Sequence, residues 1–456
     1  MISHVYFIGI GGIGMSALAR YFKGTGAFVA GYDRTPSAIT SALEQEGVLI
    51  HYNDDTSQIP QTILEHPTDA LVIYTPAIPI DHKEWNFLHQ SGFKMVKRAQ
   101  VLGEIAASKT CLAIAGTHGK TTTSTLLAHI FTHSGVGCTA FLGGISKNYQ
   151  TNLLVSPSPY LVAEADEYDR SFLQLHPNMA VVTSIDADHL DIFGDYETLK
   201  DAFADFTNQI NPNGTLLLKE GLALPAPNHP QTKRYRYSLQ QESDFYASHL
   251  SIEQDGYYSF TLHLLQEVVP ECRLFVPGQI NIENGVAASA IAFLNGITPQ
   301  QIKEALATFL GVSRRFDVQV NNRDCIYIDD YAHHPAEISA ALNSIRSLYP
   351  NRKITAVFQP HLYTRTRDFA DEFGKSLSLA DELILLPIYP AREYPIHGVS
   401  SLMLLEKVTG EDKHLVEKEN IVEFLTPRTI DVLITFGAGD IDRLVPEIKS
   451  LIQERR

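Results

Sequence analysis

The segment AGTHGKTTT, residues 115–123, constrains the fold of this chain more than any other feature of its sequence. It follows an apolar run at 111–115, which predicts a buried strand, and it precedes a helix-like segment. A glycine-rich turn between a parallel strand and a helix directs backbone N–H groups to one point, where they bind phosphate. Lys120 would reach the β- and γ-phosphates and Thr121 would offer its hydroxyl to Mg²⁺, although Ile114 replaces the first glycine of the phosphate-loop pattern. The segment predicts an α/β domain that binds ATP.

A second glycine-rich turn lies near the start of the chain, between predicted strands at 4–10 and 28–32. The string GIGGIG at 9–14 fits G-x-G-x-x-G, and Asp33 follows about 20 positions later, as in the dinucleotide-binding fingerprint. The fingerprint indicates a diphosphate and a ribose without requiring a nicotinamide, because a nucleotide diphosphate sugar needs the same glycines. Further along, Arg98 is either an anchor for a phosphate or carboxylate or an ordinary surface residue.

Acidic side chains are concentrated after two further predicted strands. The run EADEYD (164–169) ends one strand, and DADHLD (186–191) follows the next. Carboxyl ends of parallel strands meet at the edge where α/β sheets bind ligands. The carboxylates and the imidazole of His189 therefore predict a Mg²⁺–ATP site beside the phosphate loop. Taken singly, Asp186 or Asp191 fits a solvated loop equally well.

The pattern changes to short strands between residues 213 and 275, which predicts an irregular β excursion. A predicted helix at 278–294 begins near Asn281 and Asn284, which are either N-caps or contacts to a base or phosphate. The remainder again alternates strands and helices. The adjacent His333 and His334 have no i, i+4 partner or cysteine, which favours a structural or substrate-orienting role over metal ligation.

A chain of 456 residues is too long for one core. The alternation predicts three α/β domains: an N-terminal Rossmann-like domain at 1–108, a central phosphate-loop ATPase-like domain with a small β excursion at 109–310, and a C-terminal Rossmann-like domain at 311–456.

Composition excludes several classes of function. A net charge of −16, with no block of lysine and arginine, argues against extended nucleic-acid binding. Four scattered cysteines without a C-x-x-C pair indicate neither a zinc site nor a disulfide framework, and they suit a reducing compartment. The sequence shows no signal segment and no apolar run long enough for a membrane span. We therefore expect a cytoplasmic protein without membrane insertion.

Strings along the whole chain, taken in order, resemble the Mur ligase family: GIGGIGMSALA (9–19), AGTHGKTTT (115–123), VAEADEYDRSFL (162–173), DADHLD (186–191), GVSRRFD (311–317), DDYAHHPAE (329–337), FQPHLYTRTRDF (358–369) and GAGDI (437–441). The resemblance implies an ATP-dependent ligase that acts as a monomer or homodimer. The implied reaction joins L-alanine to the lactyl carboxylate of UDP-N-acetylmuramate through an acyl-phosphate, releasing ADP and phosphate, as the first peptide step of peptidoglycan synthesis.

The resemblance also implies roles for individual residues. The ATP phosphates would be bound by Gly116, Thr117, His118, Gly119, Lys120, Thr121 and Thr122. Mg²⁺ would be bound by Thr121, Glu164 and His189. The remaining ATP contacts would be Asn284, Arg315 and Asp330. The UDP-sugar would be surrounded by Gly11, Gly12, Met15, Asp33 and Arg98, and Asn152 would be a further substrate contact. The incoming amino acid and the acyl-phosphate would meet His333, His361, Arg365 and Arg367, either arginine pairing the alanine carboxylate as a bidentate fork. The implied catalytic set is Lys120, Glu164, His189, His333 and Arg365.

The chain departs from the family pattern at two positions. Ile280 stands in GQINIEN where many members have histidine, so a contact from that histidine is missing. Sister ligases that add later residues carry a carbamylated lysine at the position of Phe203. The nearby Lys200 lies three positions before it and does not match that lysine. We therefore expect no carbamate here and another means of binding the metal.

Three other functions stay open at this point. A recycling ligase would attach a preformed tripeptide to UDP-N-acetylmuramate, but its glycine turn usually reads closer to ICGTFMG than to GIGGIGMS. An NAD(P)-dependent oxidoreductase built on residues 9–14 leaves the 116–123 loop unexplained. A non-catalytic nucleotide sensor would be expected to lose Lys120, Glu164 or His189, and all three are present.

Overall fold

The described part of the chain contains three β-sheets, of five, ten and six strands. The computed structural model describes residues 2–76, 78–187, 190–239, 241–253, 257–391 and 393–454. The chain divides into two compact units. The first comprises Met1–Leu250, Phe260–Arg273 and Glu283–Phe309, and the second comprises Ser251–Ser259, Leu274–Ile282 and Leu310–Arg456. None of the helices in the described ranges is long and apolar enough to cross a membrane.

The first sheet is parallel and has the strand order β3-β2-β1-β4-β5 of a Rossmann-like domain. Its strands are β1 (His4–Ile8), β2 (Phe28–Tyr32), β3 (Leu49–His51), β4 (Ala70–Tyr74) and β5 (Lys94–Lys97). Its helices are α1 (Ile13–Gly24), α2 (Ala38–Gln45), α3 (Gln61–Leu64), α4 (Lys83–Gln90) and α5 (Arg98–Ala107). Side chains of β1 alternate between two apolar cores: Val5 and Phe7 on one face, Tyr6 and Ile8 on the other.

The second sheet has the order β15-β14-β13-β12-β11-β10-β6-β9-β7-β8. Its strands are β6 (Thr110–Ala115), β7 (Thr139–Ser146), β8 (Thr151–Leu154), β9 (Tyr160–Ala165), β10 (Met179–Val182), β11 (Thr215–Lys219), β12 (Lys233–Ser238), β13 (Phe245–Ile252), β14 (Tyr258–Leu264) and β15 (Glu267–Leu274). The associated helices are α6 (Lys120–His133), α7 (Leu190–Phe193), α8 (Tyr196–Asn208), α9 (Gln279–Leu294) and α10 (Pro299–Thr308). The predicted β excursion is confirmed, and its strands extend the same sheet.

The third sheet has the order β16-β17-β21-β18-β19-β20 and is parallel except for β16 at its edge. Its strands are β16 (Asp317–Asn321), β17 (Ile326–Asp330), β18 (Ile354–Phe358), β19 (Glu382–Leu385), β20 (Lys413–Leu415) and β21 (Val432–Phe436). Its helices are α11 (Pro335–Leu348), α12 (Tyr363–Asp368), α13 (Ala370–Leu377), α14 (Ser401–Lys407), α15 (Ile421–Leu425) and α16 (Val445–Glu454). An apolar core lies on each face of this sheet, as in a doubly wound fold. The predicted α/β architecture with three sheet-based domains is confirmed.

Two local predictions are wrong. The sequence predicts a turn at Gly143-Gly144, but both residues lie inside β7, where the pairing with β8 is irregular. The sequence also predicts that a strand ends at Ile328, ahead of Asp330, but β17 includes Asp330 because its pairing with β21 continues to Phe436. Of the two roles left open for Asn281 and Asn284, the N-cap role is excluded because both lie inside α9, and the contact to a base or phosphate stays a prediction.

The side chain of Asn152, on β8, joins helix α1 to the second sheet by hydrogen bonds. It has no exposed surface. Its amide nitrogen donates to the carbonyl of Ile13 at 2.6 Å and to the hydroxyl of Ser16 at 3.0 Å, and its oxygen accepts a bond from Arg20 at 2.5 Å. The side chain therefore positions the helix that follows the first glycine turn. Its implied substrate contact stays a prediction.

We expect Asn152→Ala to lower the free energy of unfolding by about 1–3 kcal/mol, because buried polar groups of α1 lose their partner. Differential scanning calorimetry of the unliganded protein measures this as a lower melting temperature. Gln90→Ala, at an exposed position of α4, is the control and should leave the melting temperature unchanged. Equal melting temperatures for both variants would show that Asn152 does not stabilise this packing.

Candidate active site

The loop between β6 and α6 has the left-handed glycines that a phosphate loop requires. Gly116 has φ +138°, and an added Cβ would overlap the hydroxyl of Thr183. Gly119 has φ +82° and precedes the first residue of α6. An added Cβ there would lie 2.7 Å from Oδ1 of Asn284, so this asparagine lies directly against the loop. The structure thus brings Asn284, one of the implied ATP contacts, to the loop predicted to bind the phosphates.

Residues after β10 hold the loop in shape. The N–H of Thr183 donates to the carbonyl of Ala115 at 3.0 Å, and its hydroxyl bonds to the carbonyl of His118. The hydroxyl of Ser184 accepts a bond from the N–H of His118 at 2.8 Å and lies 2.9 Å from the hydroxyl of Thr117. These bonds fix the loop before a ligand arrives, so it needs no reorganisation when charge develops. Thr183 and Ser184 therefore shape the loop, a role that no local sequence pattern indicates.

Lys120 is held at the loop as a buried cation. Its Nζ donates to the carbonyl of Gly116 at 2.5 Å and to both carboxylate oxygens of Glu167, at 2.7 and 3.0 Å. Burial lowers the pKa of Lys120, but the carboxylates of Glu167, Asp166 and Glu164 together outweigh burial and raise that pKa above its ordinary value. The ammonium therefore stays charged and can neutralise phosphate.

Glu167 belongs to the acidic run, but the sequence alone does not indicate that it pairs with Lys120. The pairing of strands β6 and β9 explains why the two residues meet. Strands β6 and β9 are parallel neighbours, with Ala115 opposite Ala165. A residue two positions beyond β9 consequently lies beside the residues that follow β6, and Lys120 is among them.

Two of the three implied Mg²⁺ ligands are in the described part of the chain. Thr121 lies in the first turn of α6 and is buried. Glu164 lies near the end of β9, with its carboxylate against Gly143. Hydroxyl and carboxylate oxygens are the ligands that Mg²⁺ prefers, so this donor set fits the ion. His189, like Asp188, lies outside the described residues.

A cavity of about 220 Å³ lies beside the first glycine turn. Gly12, Met15 and Arg98 line it from the N-terminal domain, and Glu164 and Asp166 line it from the central domain. Arg98 lies 3.3 Å from the carboxylate of Asp166. The structure therefore brings three of the residues implied for the UDP-sugar to the same cavity as Glu164, which is implied for Mg²⁺.

The side chain of Asp33 binds the backbone of the first glycine turn. Its carboxylate accepts the N–H of Gly11 at 2.7 Å and that of Thr35 at 3.1 Å. Gly11 and Asp33 are thus in contact, as the fingerprint predicts for residues that share one nucleotide site.

In the second unit, Asp330 lies near Arg315, and backbone N–H groups bind its carboxylate. The buried carboxylate of Asp330 accepts the N–H of Phe316 at 3.0 Å and that of Ala332 at 2.9 Å. Burial raises the pKa of Asp330 to about 7, although Arg315 opposes this rise. The guanidinium of Arg315 lies 4.8 Å from the centre of the Tyr331 ring.

Glu337 of α11 orients the histidine pair. The N–H of His333 donates to its carboxylate at 3.0 Å, and the Nδ1 of His333 donates to the carbonyl of Tyr331, also at 3.0 Å. The ring of His334 caps α11 by accepting the N–H of Ala336. The predicted structural or orienting character of the two histidines agrees with these bonds.

His361 lies on the turn that leads from β18 into α12, and Arg365 lies within α12. The ring of His361 lies 6.1 Å from that of His333 and stacks on Tyr389 at 5.9 Å. Arg365 is buried. Leu362, between them, has φ +69°, a strained conformation for a residue with a side chain.

Glu393 stabilises this turn by accepting the N–H of Thr364 at 3.0 Å and its hydroxyl. Arg367 is half exposed and pairs with Asp368. Of the two arginines implied for the alanine carboxylate, only Arg365 is therefore held inside the fold.

We expect Asp330 to make the wild-type stability fall as pH rises. Its pKa is near 3.8 when unfolded and about 7 when folded. The folded chain therefore binds the extra proton between these values, and stability declines from about pH 4 to pH 7 and is level above. Asp330→Asn should flatten this part of the curve, although the amide keeps only one of the two backbone bonds. Melting temperatures of both proteins from pH 4 to 8 measure the slope, and parallel curves would contradict the assignment.

Comparisons with known proteins agree with this arrangement. Models of the Mur ligase family match three successive stretches: its catalytic domain at residues 4–110, its middle domain at 114–292 and its glutamate ligase domain at 314–439. A UDP-N-acetylmuramate–L-alanine ligase of Parabacteroides distasonis is 50% identical over 452 residues, covering 99% of this chain and 97% of that protein.

Two solved structures share the fold. The crystal structure of a UDP-N-acetylmuramate–alanine ligase from Thermotoga maritima has a TM-score of 0.83 at 25% identity, covering 99% of this chain and 100% of that one. A murein peptide ligase from Psychrobacter arcticus has a TM-score of 0.70 at 22% identity, covering 99% and 98%. The resemblance predicted from the sequence strings is confirmed: this chain belongs to the Mur ligase family.

Proposed function

We propose that this protein is an ATP-dependent ligase that joins L-alanine to the lactyl carboxylate of UDP-N-acetylmuramate and releases ADP and phosphate. The observation that carries the proposal is the arrangement around Glu164. This residue lines the cavity beside the first glycine turn, and its charge also acts on Lys120 of the phosphate loop. A nucleotide-sugar carboxylate in that cavity would be adjacent to the group that binds the phosphates of ATP. Relatives named for this activity and matching nearly the whole chain support the choice of substrates.

The first step is attack of the lactyl carboxylate on the γ-phosphorus of ATP. It forms a carboxyl–phosphate bond and breaks the bond to the β-phosphate, which leaves as ADP. Two anions must approach each other, so the site has to mask their repulsion. The backbone N–H groups at the N-terminus of α6 and the Lys120 ammonium supply fixed positive charge for this purpose. Bound Mg²⁺ would neutralise further phosphate charge, with Thr121, Glu164 and His189 as its proposed ligands.

The second step is attack of the alanine amine on the acyl carbon, which forms the amide and expels phosphate. The amine must be neutral to attack, whereas its carboxylate needs a cationic partner. We assign the carboxylate to Arg365, because a buried guanidinium can pair bidentately with it. His333 and His361 are the proposed neighbours of the reacting groups, and Arg367 is the alternative partner of the carboxylate.

The proposed activity is tested by phosphate release from ATP in the presence of UDP-N-acetylmuramate. We expect release to require L-alanine, with glycine and L-serine as weaker substrates because one methyl group discriminates only about 10–200-fold. A parallel reaction with the preformed tripeptide tests the recycling activity. Release that ignores the amino acid, or that responds to the tripeptide alone, would contradict the proposal.

We expect Lys120→Ala to lower the turnover number at least about 100-fold, because removal of one preorganised donor typically costs that much. Binding of UDP-N-acetylmuramate, measured by calorimetry, should be unchanged, since the cavity beside the glycine turn stays intact. Lys200→Ala serves as the matched control, because that lysine of α8 pairs only with the exposed Glu197 at 3.7 Å among the contacts described for it. Near-normal turnover of the Lys120 variant would contradict the phosphate role of this lysine.

A further inference from the structure

We propose that Glu167 is a positioning residue that competes with the ATP phosphates for the Lys120 ammonium and thereby sets the affinity for ATP. The inference rests on the proposed function, because it concerns the same phosphate loop. Its first support is burial: the side chain of Glu167 is 1% exposed and that of Lys120 is 12% exposed. A buried ammonium requires a compensating charge, and Glu167 supplies it.

The donors of Lys120 are already committed. An ammonium group has three N–H donors. Its described acceptors are the carbonyl of Gly116 at 2.5 Å and the two oxygens of Glu167 at 2.7 and 3.0 Å, with the carbonyl of Thr117 at 3.5 Å. A phosphate oxygen that binds Nζ must therefore take a donor from one of these groups. The Gly116 carbonyl belongs to a loop that is fixed by its own hydrogen bonds. We therefore infer that the phosphate oxygen replaces an oxygen of Glu167 as the acceptor of a Lys120 N–H.

The backbone around Glu167 is fixed, so its side chain stays directed at the loop. The carbonyl of Glu167 accepts the N–H of Arg170 at 2.9 Å, and the carbonyl of Asp166 accepts the N–H of Phe172 at 2.8 Å. Phe172 is buried and stacks on Phe206 at 4.9 Å. After phosphate takes the ammonium, the Glu167 carboxylate consequently stays near a second anion, which weakens binding.

The test compares the dissociation constants of ATP and ADP, measured by calorimetry, for the wild type and two variants. Glu167→Gln keeps the shape and an acceptor for Lys120 but removes the charge. We expect it to bind both nucleotides about tenfold more tightly, because a like charge is removed from the site. Loss of structure alone would weaken binding, so tightening separates competition from a merely structural role. Equal or weaker binding by a folded Gln variant would overturn the inference.

Glu167→Asp retains the charge and should keep both dissociation constants within about twofold of the wild type. Asp169→Asn is the matched control on the same segment, because Asp169 pairs with Lys97 at 2.9 Å instead of Lys120. It should leave nucleotide binding unchanged, and tightening by this control would overturn the inference. Failure of the wild type itself to bind ATP would instead refute the proposed function.

A second measurement needs no variant. A crystal structure of the wild type with a non-hydrolysable ATP analogue should show Lys120 Nζ on phosphate oxygens and at least one of its two Glu167 contacts beyond 3.5 Å. If both Glu167 contacts keep their present lengths beside bound phosphate, the competition does not exist. This result decides the question even if the Gln variant does not fold.

Discussion

The parallel pairing of β6 with β9 on one side and β10 on the other is the constraint on which the proposed site depends. Ala115 ends β6 opposite Ala165 of β9 and Val182 of β10. The three strands therefore end at the same level of the sheet. The phosphate loop, the acidic run and the Thr183–Ser184 pair all leave the sheet at one edge, although more than sixty residues separate the first from the last. Backbone hydrogen bonds, rather than side-chain contacts, bring these groups together.

Electrostatics at this edge follow from the same geometry. The ends of β6 and β9 place a lysine, three carboxylates and an open glycine loop within a few residues of each other. Because Lys120 and Glu167 are both buried, each would be costly without the other. The Lys120 ammonium is therefore neutralised by Glu167 until a more highly charged anion, such as the phosphates of ATP, binds it. Asp166, next to Glu167, contacts Arg98 of the first domain, so one short segment contacts both the phosphate loop and the neighbouring cavity.

The sequence predicted the sheet-based architecture and the location of most site elements, because these depend on local patterns. The strand at 28–32 has the predicted bounds, and both glycine turns follow their strands. Contacts between side chains that strand pairing brings together could not be predicted from local sequence patterns. Three such contacts join residues distant in sequence: the pairing of Lys120 with Glu167, the bonds of Thr183 and Ser184 to the phosphate loop, and the bonds of Thr364 to Glu393. The Gly143-Gly144 pair reads as a turn in sequence, but tertiary pairing places it within a strand.

The central claim is that the phosphate released from ATP first bonds to the sugar carboxylate. The most direct test uses UDP-N-acetylmuramate with ¹⁸O in both oxygens of its lactyl carboxylate, together with unlabelled ATP and L-alanine. Mass spectrometry of the released phosphate should find one ¹⁸O atom for each amide formed, because the carboxylate oxygen leaves with the phosphoryl group. Unlabelled phosphate accompanying amide formation would show that water or another nucleophile accepts the phosphoryl group, and it would contradict the acyl-phosphate route.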